Sequence, residues 1–201
     1  MIRIGILGEI GSGKSYLAQR FGYPVFNADL EVSKLYKQNK NVFYKLRKKL
    51  PKYIFSFPIQ KVEISSAILA NKTNLKKIIK IVHLEVRKKM KAFLKKNKKK
   101  KIKNFLKKKK KKKIIILDIP LLLENKINNK KDILVYVQSN RSFILKRLKK
   151  RKNFNYKLYN KFKAIQYSSS YKKNKSDFII KNNFTKKSII NGINNILKKI
   201  L

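Results

Sequence analysis

The sequence contains no cysteine. Disulfides and thiolate-bound metal centres are therefore excluded, and a reducing, cytoplasmic setting fits. Glycine is scarce at six residues, proline at four, histidine at one and acidic residues at nine. No apolar run reaches the roughly 18 residues needed to cross a bilayer. The longest candidate, Ile114 to Leu123, carries Asp118 and Pro120. Residues 1–30 lack a signal-peptide layout, because Arg3 and the glycines interrupt the apolar start. No internal repeat or Pro/Gly/Ser-rich linker divides the chain. Its 201 residues, 43% of them hydrophobic, predict a single domain with a real core.

What the sequence has in excess is positive charge, +46 in all, carried by 55 Lys and Arg. Only seven of these are Arg. Lys, Asn and Ile crowd the chain and share AT-rich codons, so compositional drift accounts for the charge without a partner. Readout of bases relies on Arg, Asn and Gln at set positions, and no such arrangement is visible. No specific nucleic acid and no membrane partner are expected, although weak nonspecific binding to nucleic acid at low salt is. The run of seven Lys at 107–113 repels itself and predicts a solvated loop or frayed helix end. In such a chain the residues other than Lys, Asn and Ile carry the information.

Four of the six glycines fall within residues 5–13. They follow "IRIGIL" (2–7), a short buried strand, and precede a helix that opens near Lys14. Gly8, Gly13, Lys14 and Ser15 fit the pattern G-x-x-x-x-G-K-[ST], with Gly11, Ser12 and Tyr16 in and beside the loop. Such glycines let backbone N–H groups turn inward around phosphate oxygens, and the following helix adds its positive end. Lys14 supplies a charge to the β- and γ-phosphates of ATP, and the Ser15 hydroxyl can hold Mg²⁺.

Further strands are predicted at 23–29, 114–120, 132–137 and 177–182, with helical patterns over most of 30–110 and at 141–152, 155–174 and 185–200. Apolar strands alternating with helices predict a parallel five-stranded sheet with helices on both faces, of P-loop NTPase type. Asp29 closes the second predicted strand. It can cap the next helix, or accept a proton from an attacking hydroxyl, or do both. Asp118 ends the third strand. It can hold Mg²⁺ through water, or simply terminate the strand. Three Arg fall within 141–151. Arg147 and Arg151, four apart, are expected to share a helix face and close over ATP, whereas Arg141 reads as solvated. His83, alone in an apolar helical pattern, reads on its own as structural.

Taken in order, these segments resemble the dephospho-CoA kinase family. "GEIGSGKS" (8–15) is similar to its phosphate loop, with Glu9 in place of a Gly. "YPVFNAD" (23–29) places Asp29 on the family's catalytic Asp, with Asn27 in place of an earlier Asp. "IQKVEISSAIL" (59–69) has Lys61 where the family has Arg. "VHLEV" (82–86) has Leu84 where the family has Pro. "DIPLLLE" (118–124), "LKRLKKR" (145–151), and Gln166 followed by "SDFIIKNN" (176–183) complete the resemblance.

The resemblance implies transfer of the ATP γ-phosphate to the ribose 3′-hydroxyl of dephospho-CoA. Lys61 and His83 would then contact substrate, within a helical substrate-binding insertion at about 32–106 and beside a lid at about 139–172. Glu9 is expected to turn to solvent or a nearby Lys, because a carboxylate aimed at phosphates opposes their binding. Two rival readings are another small-molecule or nucleotide kinase and, from a different class, a basic nucleic-acid-binding protein.

Overall fold

The computed structural model describes residues 1–104, 113–152 and 154–201. All of the predicted Lys107–Lys113 loop except Lys113 lies outside the described residues. Two compact units form. One comprises Met1–Asn27, Asn97–Phe154 and Gln166–Leu201; the other comprises Ala28–Lys96 and Asn155–Ile165.

The first unit holds a five-stranded sheet: β1 (Ile2–Gly8), β2 (Val25–Asn27), β3 (Ile114–Asp118), β4 (Ile133–Gln138) and β5 (Phe178–Lys181). Every pairing is parallel, and the order is β2-β3-β1-β4-β5. Strand residues alternate between faces. Ile4, Ile6, Ile114, Ile116, Val135 and Val137 share one face, in a core with Leu17 of α1 (Lys14–Arg20), its C-cap Phe21, and Ile189, Ile193 and Ile196 of α9 (Lys186–Ile200). Ile115, Leu117, Leu134 and Tyr136 alternate to the other face and are also buried. Burial on both faces explains why these strands read as unbroken apolar runs.

Between β2 and β3 the chain forms α2 (Ala28–Gln38), α3 (Lys40–Lys49), α4 (Lys61–Ala70) and α5 (Lys72–Asn104). After β4 come α6 (Arg141–Lys149), α7 (Tyr156–Lys163) and α8 (Ser169–Asn174). The expected single helix over 155–174 is therefore two. Between them the Tyr167 N–H donates to the Glu124 carboxylate, 43 residues away, at 2.9 Å, and Ser168 caps α8 by accepting from the Tyr171 N–H. Asp29 also differs from expectation. It lies in the first turn of α2 rather than at the end of β2, two places too far in to be the cap.

In the second unit, Glu63 is a buried acid with a full set of donors. Its carboxylate accepts from the Phe55 and Ser56 N–H groups, the Ser56 hydroxyl and the Gln60 N–H, all within 2.7–2.9 Å. The last of these is half of a capping box that starts α4. Burial alone would raise the Glu63 pKa, but the hydrogen bonds outweigh it and hold the carboxyl below its ordinary value. A depressed folded pKa contributes stability that is complete above the unfolded value and lost as pH falls through the folded one. We expect Glu63→Ala to cost about 3 kcal/mol in urea unfolding at pH 7. The difference from wild type should shrink as the pH is lowered below roughly 4.

Candidate active site

The end of β1 enters the glycine loop. Gly8 has φ +147° and Gly13 has φ +96°, regions that side chains rarely adopt. A Cβ at Gly8 would come within 2.9 Å of the Val137 carbonyl oxygen, and one at Gly13 within 2.6 Å of Asn182 Nδ2. Gly11 packs against Ile144 and Leu148 of α6. Ser12 is fully buried, and its N–H donates to the Glu9 carbonyl at 3.1 Å. The Lys14 ammonium lies back over the loop, donating to the carbonyls of Gly8 (3.1 Å) and Glu9 (2.7 Å). Tyr16 points outward with the Arg20 guanidinium 5.0 Å above its ring.

Beside the loop, β3 delivers Asp118. Its carboxylate takes a hydrogen bond from the Ser15 hydroxyl and another from Asn27 Nδ2 at 2.7 Å, its register partner on β2. Burial pushes the Asp118 carboxyl above the ordinary range, while the Ser15 hydrogen bond and the Lys14 charge pull it down. A hydroxyl and a carboxylate are the hard oxygen donors that suit Mg²⁺, which takes few protein ligands when phosphates and water supply the rest. Among the described residues no cluster of three or more His, Cys, Asp or Glu could form an all-protein cage. The residues present therefore fit Mg²⁺ held jointly with a nucleotide.

The half-buried Glu9 side chain turns to α8 rather than to a Lys. Its carboxylate accepts from the Ser169 hydroxyl, which is also hydrogen-bonded to Tyr136. Lys14 bonds the Glu9 backbone instead, leaving its carboxylate to the α8 hydroxyl. Arg147 and Arg151 do not share a helix, because α6 ends at Lys149 and the Arg151 N–H turns back to the Leu148 carbonyl. Arg147 stacks 4.3 Å from the Phe184 ring centre, and Arg151 is exposed. Arg141 is exposed at the start of α6. The expected lid divides, with α6 and residues 166–172 in the first unit and α7 in the second. Lys61 is the exposed first residue of α4, and His83 is half-buried on α5. Together with Asp29 they belong to the second unit, whereas the loop, Asp118 and both Arg belong to the first.

Three participants escaped sequence reasoning. Ser139 and Asn182 both reach the Ser12 carbonyl. Lys172 is buried and pairs with Glu124 at 2.9 Å. Asn182 lay within the "SDFIIKNN" segment, but nothing marks Lys172 among so many lysines.

An all-parallel sheet whose central strand runs into a Gly-rich Lys-Ser loop, with an acid from the adjacent strand on the serine, defines a P-loop kinase. The family model for dephospho-CoA kinase (CoaE) matches residues 2–188. The chain belongs to the dephospho-CoA kinase family. The dephospho-CoA kinase of Wolbachia pipientis wMel is 31% identical over 200 residues, spanning 98% of this chain and 97% of that protein. A crystal structure from Thermus thermophilus matches with a TM-score of 0.74 at 20% identity, covering 100% of this chain and 98% of the other. The dephospho-CoA kinase of Campylobacter jejuni matches with a TM-score of 0.59 at 18% identity, covering 98% and 96%. At those identities both structures attest the fold. Among the described residues no helix is long and apolar enough to cross a membrane.

Two outcomes follow from the site. Because the Asp118 pKa is raised on folding, the folded state binds the extra proton first, and stability falls as pH rises through that interval. Asp118→Asn removes the penalty, so melting at pH 8 should be unchanged or higher while kinase activity drops about tenfold or more. Glu9→Gln keeps an acceptor for Ser169, and the ATP KM in steady-state assays should stay within about threefold of wild type.

Proposed function

We propose that this chain transfers the γ-phosphoryl group of ATP to the ribose 3′-hydroxyl of dephospho-CoA, giving coenzyme A and ADP, the last step of coenzyme A biosynthesis, in the cytoplasm. The observation that carries this reading is the phosphate loop with Lys14 folded over it and Ser15 hydrogen-bonded to Asp118, in a chain of this family.

In this reading the acceptor hydroxyl oxygen bonds to the γ-phosphorus as the bond to the β–γ bridging oxygen breaks. ADP leaves with that electron pair. Asp29 orients the hydroxyl and takes its proton; what supports this is its position two residues after the C-terminal end of β2, the edge of an open α/β sheet where ligands bind. The N–H groups of Gly11, Gly13, Lys14 and Ser15 and the Lys14 ammonium hold the phosphates, and Tyr16 follows them into α1. Ser15 and Asp118 would hold Mg²⁺, which neutralises charge on the phosphate oxygens. Arg147 and Arg151 add positive charge against the transferring group. The helical unit takes the acceptor, with Lys61 and His83 in contact with it.

Purified protein should form coenzyme A from dephospho-CoA with ATP and Mg²⁺. Lys14→Ala should lower kcat/KM by at least about 10²-fold, and Asp29→Asn should lower kcat with little change in the ATP KM. Full activity in Lys14→Ala would refute the mechanism. An alternative acceptor that clearly outcompetes dephospho-CoA would refute the assignment.

A further inference from the structure

A phosphate loop turns its N–H groups toward the ligand, so each carbonyl on the other side of those peptides needs a partner of its own. In this chain the Ser12 carbonyl has two. Ser139 Oγ donates to it at 2.9 Å and Asn182 Nδ2 at 2.8 Å. A carbonyl oxygen offers two lone pairs, so this acceptor is saturated.

The two donors come from equivalent places in neighbouring strands. Ser139 directly follows β4 and Asn182 directly follows β5. The Asn182 N–H donates to the Gln138 carbonyl at 2.7 Å, which carries the ladder one residue past β5. Asn182 is only 4% exposed, and its amide has a fixed sense. Oδ1 accepts from the Phe184 N–H at 2.8 Å, which leaves Nδ2 for the loop.

The carbonyl of residue 12 and the N–H of residue 13 belong to one planar trans peptide, so they point in opposite directions. Fixing the Ser12 oxygen against β4 and β5 aims the Gly13 N–H away from them. The same contact explains why residue 13 lacks a side chain, since a Cβ there would meet Asn182 Nδ2 at 2.6 Å.

We propose that Ser139 and Asn182 are positioning residues for the nucleotide: by holding the Ser12–Gly13 peptide they present the Gly13 N–H to a phosphate oxygen. The inference rests on the kinase reading above, and it concerns binding of the phosphates rather than of the acceptor.

The test uses the full-length protein, with ADP affinity measured by calorimetry beside steady-state kinetics. Ser139→Ala, and separately Asn182→Ala, should each weaken ADP binding about threefold to tenfold, the range expected for one hydrogen bond. The ATP KM should rise with it, while the dephospho-CoA KM changes less than about twofold. Ser139→Thr, which keeps the hydroxyl, should restore ADP affinity. Ser139→Ala deletes one half-buried oxygen and should melt within a few degrees of wild type, so it decides the matter even if Asn182→Ala folds poorly. Unchanged ADP affinity in Ser139→Ala, equal losses for both substrates, or failure of Thr to rescue would overturn the proposal. Wild-type protein that binds ADP but forms no coenzyme A would instead overturn the kinase reading.

Discussion

A loop that presents N–H groups to an anion must find other partners for its carbonyls, and much of the first unit is arranged to meet that constraint. The Gly8 and Glu9 carbonyls are met by Lys14 from within the loop. The Ser12 carbonyl is met from outside, by residues that exist at that point only because β4 and β5 end side by side. A parallel sheet brings all its strand ends to one edge, and this is why the chain can surround the end of β1 with side chains from distant stretches of sequence.

The nine acids show how scarcity can mislead as well as guide. In a chain of +46 the scarce acids draw attention, and Asp118 stands beside the loop as expected. Four of the others hold structure. Glu63 caps α4, Asp132 pairs with Arg3 at 2.9 Å, Asp177 accepts the Leu134 N–H at 2.7 Å, and Glu124 takes both Lys172 and the Tyr167 N–H. A buried carboxylate needs donors whatever its purpose, so rarity identifies constraint without saying which kind.

The strands and the loop were legible because their signals are local. A continuous apolar run buried on both faces cannot be anything that faces water, and a Gly-x-x-x-x-Gly-Lys-Ser stretch after it has few other uses. The helix boundaries after β4 were less legible. The residues from 155 to 174 have a helical pattern, yet α7 ends at Lys163, and beyond it the Glu124 carboxylate, 43 residues away, takes the Tyr167 N–H. The spacing of Arg147 and Arg151 likewise suits a helix that ends two residues too early. Glu9 was misread for a similar reason, since its partner Ser169 is 160 residues away. Before α8 and at Glu9 a long-range hydrogen bond stands against the local preference, whereas at Arg151 the chain simply turns back on Leu148.

Part of the family resemblance lies in segments far from the phosphate loop. "DIPLLLE" contributes Asp118 to the site, but it also contributes Glu124, which binds Lys172, itself donating to Gln166 at 3.1 Å. The segment after Gln166 contributes Asp177 to β4 and Asn182 to the Ser12 carbonyl. Glu124, Gln166, Asp177 and Asn182 are therefore diagnostic through what they fasten. Replacing one buried partner strands another: loss of Glu124 would leave the Lys172 ammonium, 2% exposed, without its counter-charge. Drift toward Lys could rewrite the solvated surfaces freely, whereas at these positions a Lys would add a second cation to a site built for an acid or an amide.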